Sequence, residues 1–199
     1  MLKIGLTGGI GCGKSTVTKL FNELYNIPVI DADIIARQLV QPEKPTLLIL
    51  ENLFGKAIIN NDKSLNRDKL GEIIFTDPDK KQQLEETLHP LIYQEMNNIL
   101  NEQSCSYCIL CIPLLIETKM TSFVDRILVI DCPIETQIKR VQLRDNLSTK
   151  RILSIISSQT SRKNRISHAD DVIDNTNSLT QLAEQVKKLH NQYLLLSNA

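Results

Sequence analysis

The apolar positions along the chain change period several times, and each change marks an element. Leu2–Thr7 is a nearly continuous apolar run, which predicts a short buried strand. Gly8–Gly13 is glycine-rich. In Lys14–Tyr25 the apolar residues Val17, Leu20, Phe21 and Leu24 fall at i, i+3, i+4 and i+7, the face of an amphipathic helix. Pro28–Asp31 predicts a second strand, and Ile34–Val40 a helix that ends before Pro42. Strand, loop, helix and strand within the opening stretch are the signature of a βα unit feeding a parallel sheet.

The middle of the chain has a different texture. Helical periodicity predicts Thr46–Phe54, Arg67–Phe75, Asp79–His89 and Leu91–Glu102, with turn signals at Phe54-Gly55, Asn60-Asn61-Asp62 and Asp77-Pro78. No strong strand pattern occurs between 32 and 106, so this region reads as a helical insertion between sheet strands. Strand patterns return at Tyr107–Ile112 and Arg126–Asp131. Ile134–Arg144 is helical, as is Leu147–Arg165, for which Thr149 is a candidate cap. Asp171–Ile173 is a short strand and Leu179–Leu195 a closing amphipathic helix. Five strands alternating with helices match a doubly wound α/β architecture.

Composition narrows the class. The 199 residues carry 23 Lys+Arg and 23 Asp+Glu, and 42% are apolar, as in ordinary globular domains. Disorder is excluded on that ground, and the neutral balance speaks against a protein that coats nucleic acid. The longest apolar runs, Ile109–Ile116 and Ile127–Ile130, fall well short of the ~20 residues of a membrane-spanning helix. Met1–Ser15 is interrupted by glycines and lysines and lacks the layout of a signal peptide, so a cytoplasmic protein without a membrane partner is expected. The cysteines at 12, 105, 108, 111 and 132 are odd in number, which argues against a disulfide framework. Cys105, Cys108 and Cys111 lack a fourth ligand at a convincing spacing, and they read better as small apolar residues.

Gly8-Gly9-Ile10-Gly11-Cys12-Gly13-Lys14-Ser15 matches G-x-x-x-x-G-K-[ST], with a strand before it and a helix after it. Glycines let successive backbone N–H groups turn toward phosphate oxygens, and the helix that follows directs its positive end at the same anion. In such a loop Lys14 reaches the β- and γ-phosphates and the Ser15 hydroxyl ligates Mg²⁺. Thr16 either adds a second hydroxyl to the phosphates or sits on the helix surface. No Asn/Thr-Lys-x-Asp guanine-reading motif is present, which favours ATP.

Phosphoryl transfer needs positioning, charge neutralisation and a group to take the acceptor's proton. Asp31-Ala32-Asp33, just after the second strand, is the leading source of that group, with a helix cap by Asp33 as the alternative. Ile127–Asp131 resembles a Walker B strand, although many buried strands end in Asp. Ser15, helped by Asp33 through water, is the better metal site. Arg140 and Arg144 share a helix face and begin a basic stretch. Residues 139–165 hold eight Lys or Arg against Asp145 alone, as a lid closing on phosphate would.

These motifs converge on one family. The chain resembles the dephospho-coenzyme A kinases in its opening Ile4–Ser15, in Asp31-Ala32-Asp33, in Leu88-His89-Pro90-Leu91-Ile92, and in Pro113-Leu114-Leu115-Ile116-Glu117. Glu135-Thr136-Gln137, Arg140, Arg144-Asp145, Gln159 and Ala169–Asn175 extend the likeness to the C-terminal third. The resemblance implies an α/β fold of the phosphate-loop NTPase type: a five-stranded parallel sheet flanked by helices. It implies a nucleotide-binding core (1–40, 105–138 and 166–199), a helical acceptor-binding insertion (41–104) and a helical lid (139–165). The implied reaction is ATP-dependent phosphorylation of the ribose 3′-hydroxyl of dephospho-coenzyme A, the last step of coenzyme A synthesis. Asp33 is then the base, and Lys14 and Arg140 stabilise the transferring charge. Gly11, Cys12, Gly13, Lys14, Ser15 and Thr16 hold the ATP phosphates, with Ser15 on Mg²⁺ and with Arg144 and Asn175 on the nucleotide side. Thr7, Asp31, His89 and Glu117 fall to the acceptor. The expected partners are dephospho-coenzyme A and ATP, with no nucleic acid, in a monomer or weak homo-oligomer. His89-Pro90 is also readable as a structural helix junction. One departure is Cys111, where many family members carry an acid. Two other readings stay open: a nucleoside monophosphate kinase on the same core, and a nucleotide-binding regulator without turnover.

Overall fold

The computed structural model describes residues 1–197. Five strands are present: β1 (Leu2–Gly8), β2 (Val29–Asp31), β3 (Tyr107–Cys111), β4 (Arg126–Asp131) and β5 (Asp171–Asp174). The helices are α1 (Lys14–Tyr25), α2 (Ala32–Leu39), α3 (Pro45–Phe54), α4 (Arg67–Thr76), α5 (Pro78–Asn101), α6 (Ile134–Asp145), α7 (Thr149–Ser158), α8 (Arg162–Ser167) and α9 (Leu179–Ser197). The chain divides into two compact units, one of Met1–Asp31 with Gln103 onward and one of Ala32–Glu102.

The first unit is built on a parallel sheet of order β2-β3-β1-β4-β5. Parallel strands with helices on their faces are buried on both sides, so they read as continuous apolar runs rather than alternating ones. Ile4, Leu6, Tyr107, Ile109, Leu128, Ile130 and Ile173 meet Val17 and Phe21 of α1 and Leu182, Val186, Leu189 and Tyr193 of α9 in one core. Phe21 stacks on Tyr193 at 6.4 Å between ring centroids, and Tyr107 meets both rings edge-on. The three rings carry much of that core, since each buries a large apolar area. Because every strand runs the same way, their C-terminal ends share one sheet edge. Gly8 lies opposite Ile130, Asp31 opposite Cys111, and Asp131 opposite Asp174. β1 is central, so the loop leaving it opens between β3 and β4, where open α/β sheets bind ligands. Cys108 and Cys111 lie within β3 and are buried.

The second unit is helical, and its small core joins Val40, Leu50, Ile58 and Leu70, with Phe54, Ile73, Leu84 and Leu88 against them. A single antiparallel bridge pairs Ile59 with Leu65. Its helix starts are specified locally. The Asn66 side chain accepts from the Lys69 N–H at 2.9 Å, and the Asp77 side chain accepts from the N–H groups of Asp79 and Lys80 with Pro78 at the first helical position. Such side chains satisfy donors that a helix start otherwise leaves unpaired. α2 packs on α5, and this compact unit begins at Ala32.

Three sequence expectations are corrected. The two helices expected on either side of His89-Pro90 are one helix, α5. An interior proline costs a backbone hydrogen bond, but apolar residues recur every fourth position through it, at Leu84, Leu88, Ile92, Met96 and Leu100. One uninterrupted stripe holds the helix together across the break in its bonding. Conversely, the single stretch expected over Leu147–Arg165 is two helices. Ser148, not Thr149, caps α7, accepting from Arg151, and Ser161 caps α8, accepting from Asn164. Finally, Asp33 lies inside the first turn of α2 rather than capping it. Asn198 and Ala199, the end of the expected core range 166–199, lie outside the described residues.

Candidate active site

The glycine-rich loop takes the shape its sequence demands. Gly11 and Gly13 have φ of 74° and 91°, a region costly for residues with a side chain. At Gly13 a Cβ would also come within 2.1 Å of the Asn175 amide nitrogen. Cys12, between them, is fully buried, so it offers the phosphates only its backbone. α1 begins at Lys14, directing its N-terminal amides and its positive end toward the loop. The Lys14 ammonium donates to the carbonyls of Gly8 at 2.7 Å and Gly9 at 3.2 Å, which holds it across the loop. Ser15 and Thr16 are exposed at the helix start.

Two later elements fasten this loop. The Asn175 side-chain amide, buried, donates to the Cys12 carbonyl at 2.7 Å. The backbone N–H of Asn175 donates to the Asp131 carbonyl, extending the sheet edge. Arg140 of α6 donates to the Asn175 carbonyl at 2.9 Å and reaches the Gly11 carbonyl at 3.5 Å. Gly13, Thr16, Arg140, Asn175, Asn177, Leu179 and Leu182 line a cavity of about 250 Å³ beside the loop. Its mixture of amide, guanidinium and leucine side chains suits a flat, polar-edged ring better than a second phosphate.

The stretch after α7 closes over the other side of the loop. The Ile10 N–H donates to the Gln159 side chain at 3.0 Å, and the Thr160 N–H to Glu117 at 2.8 Å. Arg165, buried, donates to the Thr160 carbonyl. Arg162 makes a forked pair with Asp131, its Nε and Nη2 lying 2.6–3.0 Å from the carboxylate oxygens. This fork matches the bidentate geometry of Arg–carboxylate pairs. Cys12 and Cys132 meet in the interior with their sulfurs 3.5 Å apart. The Cys132 S–H donates to Cys12, a contact that, with the Lys14 charge, lowers the Cys12 thiol pKa to about 7, while the same contact and burial raise that of Cys132.

The residues singled out in the sequence fall into three groups. Gly11, Cys12, Gly13, Lys14, Ser15, Thr16, Arg140 and Asn175 are brought together. Thr7 and Glu117 sit nearby with their side chains engaged internally. The Thr7 hydroxyl, buried, donates to the Pro113 carbonyl at 3.0 Å, and Glu117 holds the Thr160 amide. In this arrangement both side chains tie loops together beside the site. Arg144 pairs through both Nε and Nη2 with neighbouring Asp145 on an exposed surface. Asp31 ends β2, while Asp33 on α2 and His89 on α5 belong to the helical unit. Asp33 is exposed, and the half-buried His89 ring lies 6.0 Å from that of Tyr93.

Sequence reasoning passed over Arg162 and Arg165, counting them only as part of a basic stretch. Their three-residue spacing on a helix is a signal for a shared role, but no spacing rule names Asp131 and Thr160 as their partners. Asn177 and Leu179 carried no signal at all, being ordinary residues that follow β5.

Comparison with known proteins agrees with this geometry. The family model for dephospho-CoA kinase matches residues 2–181. The dephospho-CoA kinase of Coxiella burnetii is 48% identical over 99% of both chains. A crystal structure from Thermus thermophilus is 29% identical, covers 96% of this chain and 97% of its own, and superposes with a TM-score of 0.85. The dephospho-CoA kinase of Campylobacter jejuni, also 29% identical, covers 96% of each chain with a TM-score of 0.70. With its phosphate loop, its parallel sheet and this likeness along nearly its whole length, the chain belongs to the dephospho-CoA kinase family of ATP-dependent kinases.

Proposed function

We propose that the chain transfers the γ-phosphoryl group of ATP to the ribose 3′-hydroxyl of dephospho-coenzyme A, giving coenzyme A and ADP in the cytoplasm. The observation that carries this reading is the family match over residues 2–181 in a chain whose phosphate loop is tied directly to Arg140 and Asn175.

The assignment of roles follows from chemistry. The amides at the start of α1 and the glycine loop hold the ATP phosphates. Lys14 and Arg140 bring two permanent cations to the oxygens that gain charge during transfer. The cavity bounded by Asn175, Asn177 and Leu179 takes the adenine. Asp33, an exposed carboxylate two residues beyond the end of β2, accepts the proton of the 3′-hydroxyl as that oxygen attacks phosphorus. The helical unit binds dephospho-coenzyme A, and the segment from α6 to α8 closes as a lid.

The residues fit a nucleotide-borne Mg²⁺. Among the described residues no cluster of His, Cys, Asp or Glu could hold a metal by itself, and Asp131 is already engaged by Arg162. Ser15 offers one exposed hydroxyl at the loop, which suits an ion carried mainly by phosphate oxygens and water. Mg²⁺, when bound, neutralises charge on the β- and γ-phosphates.

A coupled assay of ADP release over a panel of acceptors tests the proposal. Release that depends on dephospho-coenzyme A, with a product phosphorylated at the 3′ position, is expected. Faster turnover with AMP or a nucleoside overturns the acceptor assignment, and ATP binding without any turnover overturns the catalytic one.

A further inference from the structure

The mechanism uses the backbone of Cys12 but leaves its thiol idle. That thiol has a single notable neighbour. Cys132 follows β4, the strand paired with β1, and both cysteines are fully buried. Their sulfurs are 3.5 Å apart, with the Cys132 S–H directed at Cys12. We propose that Cys12 and Cys132 form a reversible disulfide that switches the phosphate loop off under peroxide stress.

The geometry favours this pair over the other cysteines. A disulfide needs its sulfurs at about 2.05 Å, so the two must close by a small displacement rather than a rearrangement. Cys12 lies between Gly11 and Gly13, both at positive φ, and glycines give the loop freedom to move. Cys108, by contrast, sits in mid-strand within β3. The contact with Cys132 and the charge of Lys14 also favour the Cys12 thiolate, the form that reacts.

The chemistry balances with hydrogen peroxide as the oxidant. The Cys12 thiolate attacks a peroxide oxygen, the O–O bond breaks, and a sulfenic acid forms with loss of hydroxide, which takes up a proton to become water. Cys132 sulfur then attacks Cys12 sulfur, the S–O bond breaks, and a second water leaves with the Cys132 proton. Two thiols supply two electrons, and one peroxide becomes two waters. A thiol reductant reverses the bond by exchange.

The consequence falls on the loop. Pulling Cys12 toward β4 shifts the backbone amides that receive phosphate and strains the hydrogen bond from Asn175 to the Cys12 carbonyl. Both sulfurs are buried, so peroxide reaches them when the loop opens, and bound ATP slows the reaction.

Treatment of the whole chain with hydrogen peroxide, followed by alkylation, digestion and mass spectrometry, tests this. A Cys12–Cys132 linked peptide is expected, lighter than the two reduced peptides by two hydrogens. It should accumulate as activity falls by about tenfold or more and disappear as dithiothreitol restores activity. Cys132→Ala should keep the starting activity and lose the dithiothreitol-reversible part of the inactivation. Reversible inactivation of the parent without that linked peptide overturns the proposal, as does equal reversible inactivation of Cys132→Ala. The linked-peptide measurement decides the matter on the parent chain even where the variant does not fold, and it does not depend on which acceptor the enzyme uses.

Discussion

The nucleotide-binding unit and the helical unit are held together differently. In the first, a parallel sheet buried on both faces positions a loop whose Gly8, Gly11 and Cys12 carbonyls are already bonded to Lys14, Arg140 and Asn175. In the second, buried side chains of α2 to α5, among them Ile35, Leu47, Leu50, Leu70, Ile92 and Met96, pack helix on helix, and the starts of α4 and α5 are fixed locally by Asn66 and Asp77. The difference separates two tasks. Phosphate recognition depends on amides fixed in advance, and a rigid sheet supplies them. Acceptor recognition, as we propose it, falls to the helices, which pack on one another without a sheet to fix them.

The contrast breaks most visibly at the loop. Lys14→Ala removes the cation that we propose meets the transferring phosphoryl group, and kcat/KM for ATP should fall by about 10³-fold or more. Steady-state kinetics check this, and a fall under tenfold would mean that the preset loop alone supplies the charge stabilisation. On the other unit, Asp33→Asn keeps shape and removes the carboxylate that we propose as the base. The expected result is a fall in kcat of about 10²–10⁴-fold with the dissociation constant for ATP unchanged. An equal loss in ATP affinity would show that Asp33 serves the nucleotide and not the acceptor.

Arg162→Ala probes how the segment of α7 and α8 communicates with the sheet edge. It leaves the carboxylate of Asp131, which Arg162 now forks, without that partner near the phosphate loop. An uncompensated negative charge repels a polyphosphate, so KM for ATP should rise by roughly tenfold, with a steeper dependence on ionic strength than in the parent. The double variant Arg162→Ala/Asp131→Asn should recover most of the affinity. Failure to recover would mean that Arg162 meets the nucleotide directly.

Much of this arrangement was legible before any coordinates, for local reasons. The loop, α1 and the strands follow from glycine positions, apolar runs and helical periodicity, signals that act within a few residues. The errors occurred where a longer-range interaction outweighed a local one. Pro90 looked like a break, yet the every-fourth-residue stripe from Leu84 to Leu100 carries α5 through it. Leu147–Arg165 looked continuous, yet the Thr160 amide bonds Glu117, forty-three residues away in sequence, and the chain turns there. The side-chain partners of Thr7, Glu117 and Arg162 were not legible at all. Pairs separated by tens of residues leave no periodic trace in a single sequence, and only the fold brings them together.

The smallest expected effect sharpens the contrast from the helical side. Asn66 accepts from the Lys69 N–H at the start of α4. Asn66→Ala should cost about 1 kcal/mol, which for a chain of this size corresponds to roughly 2–4 °C in Tm. If the two units are independent in their roles, the loss appears in thermal melts and in KM for dephospho-coenzyme A, while KM for ATP stays unchanged. The cap lies on the helical unit, to which we assign the acceptor, and the amides that we assign to ATP are fixed by the sheet, α6 and Asn175. A parallel rise in KM for ATP would contradict this division, because a lost cap on α4 reaches the phosphate loop only if the helical unit helps to hold that loop in place.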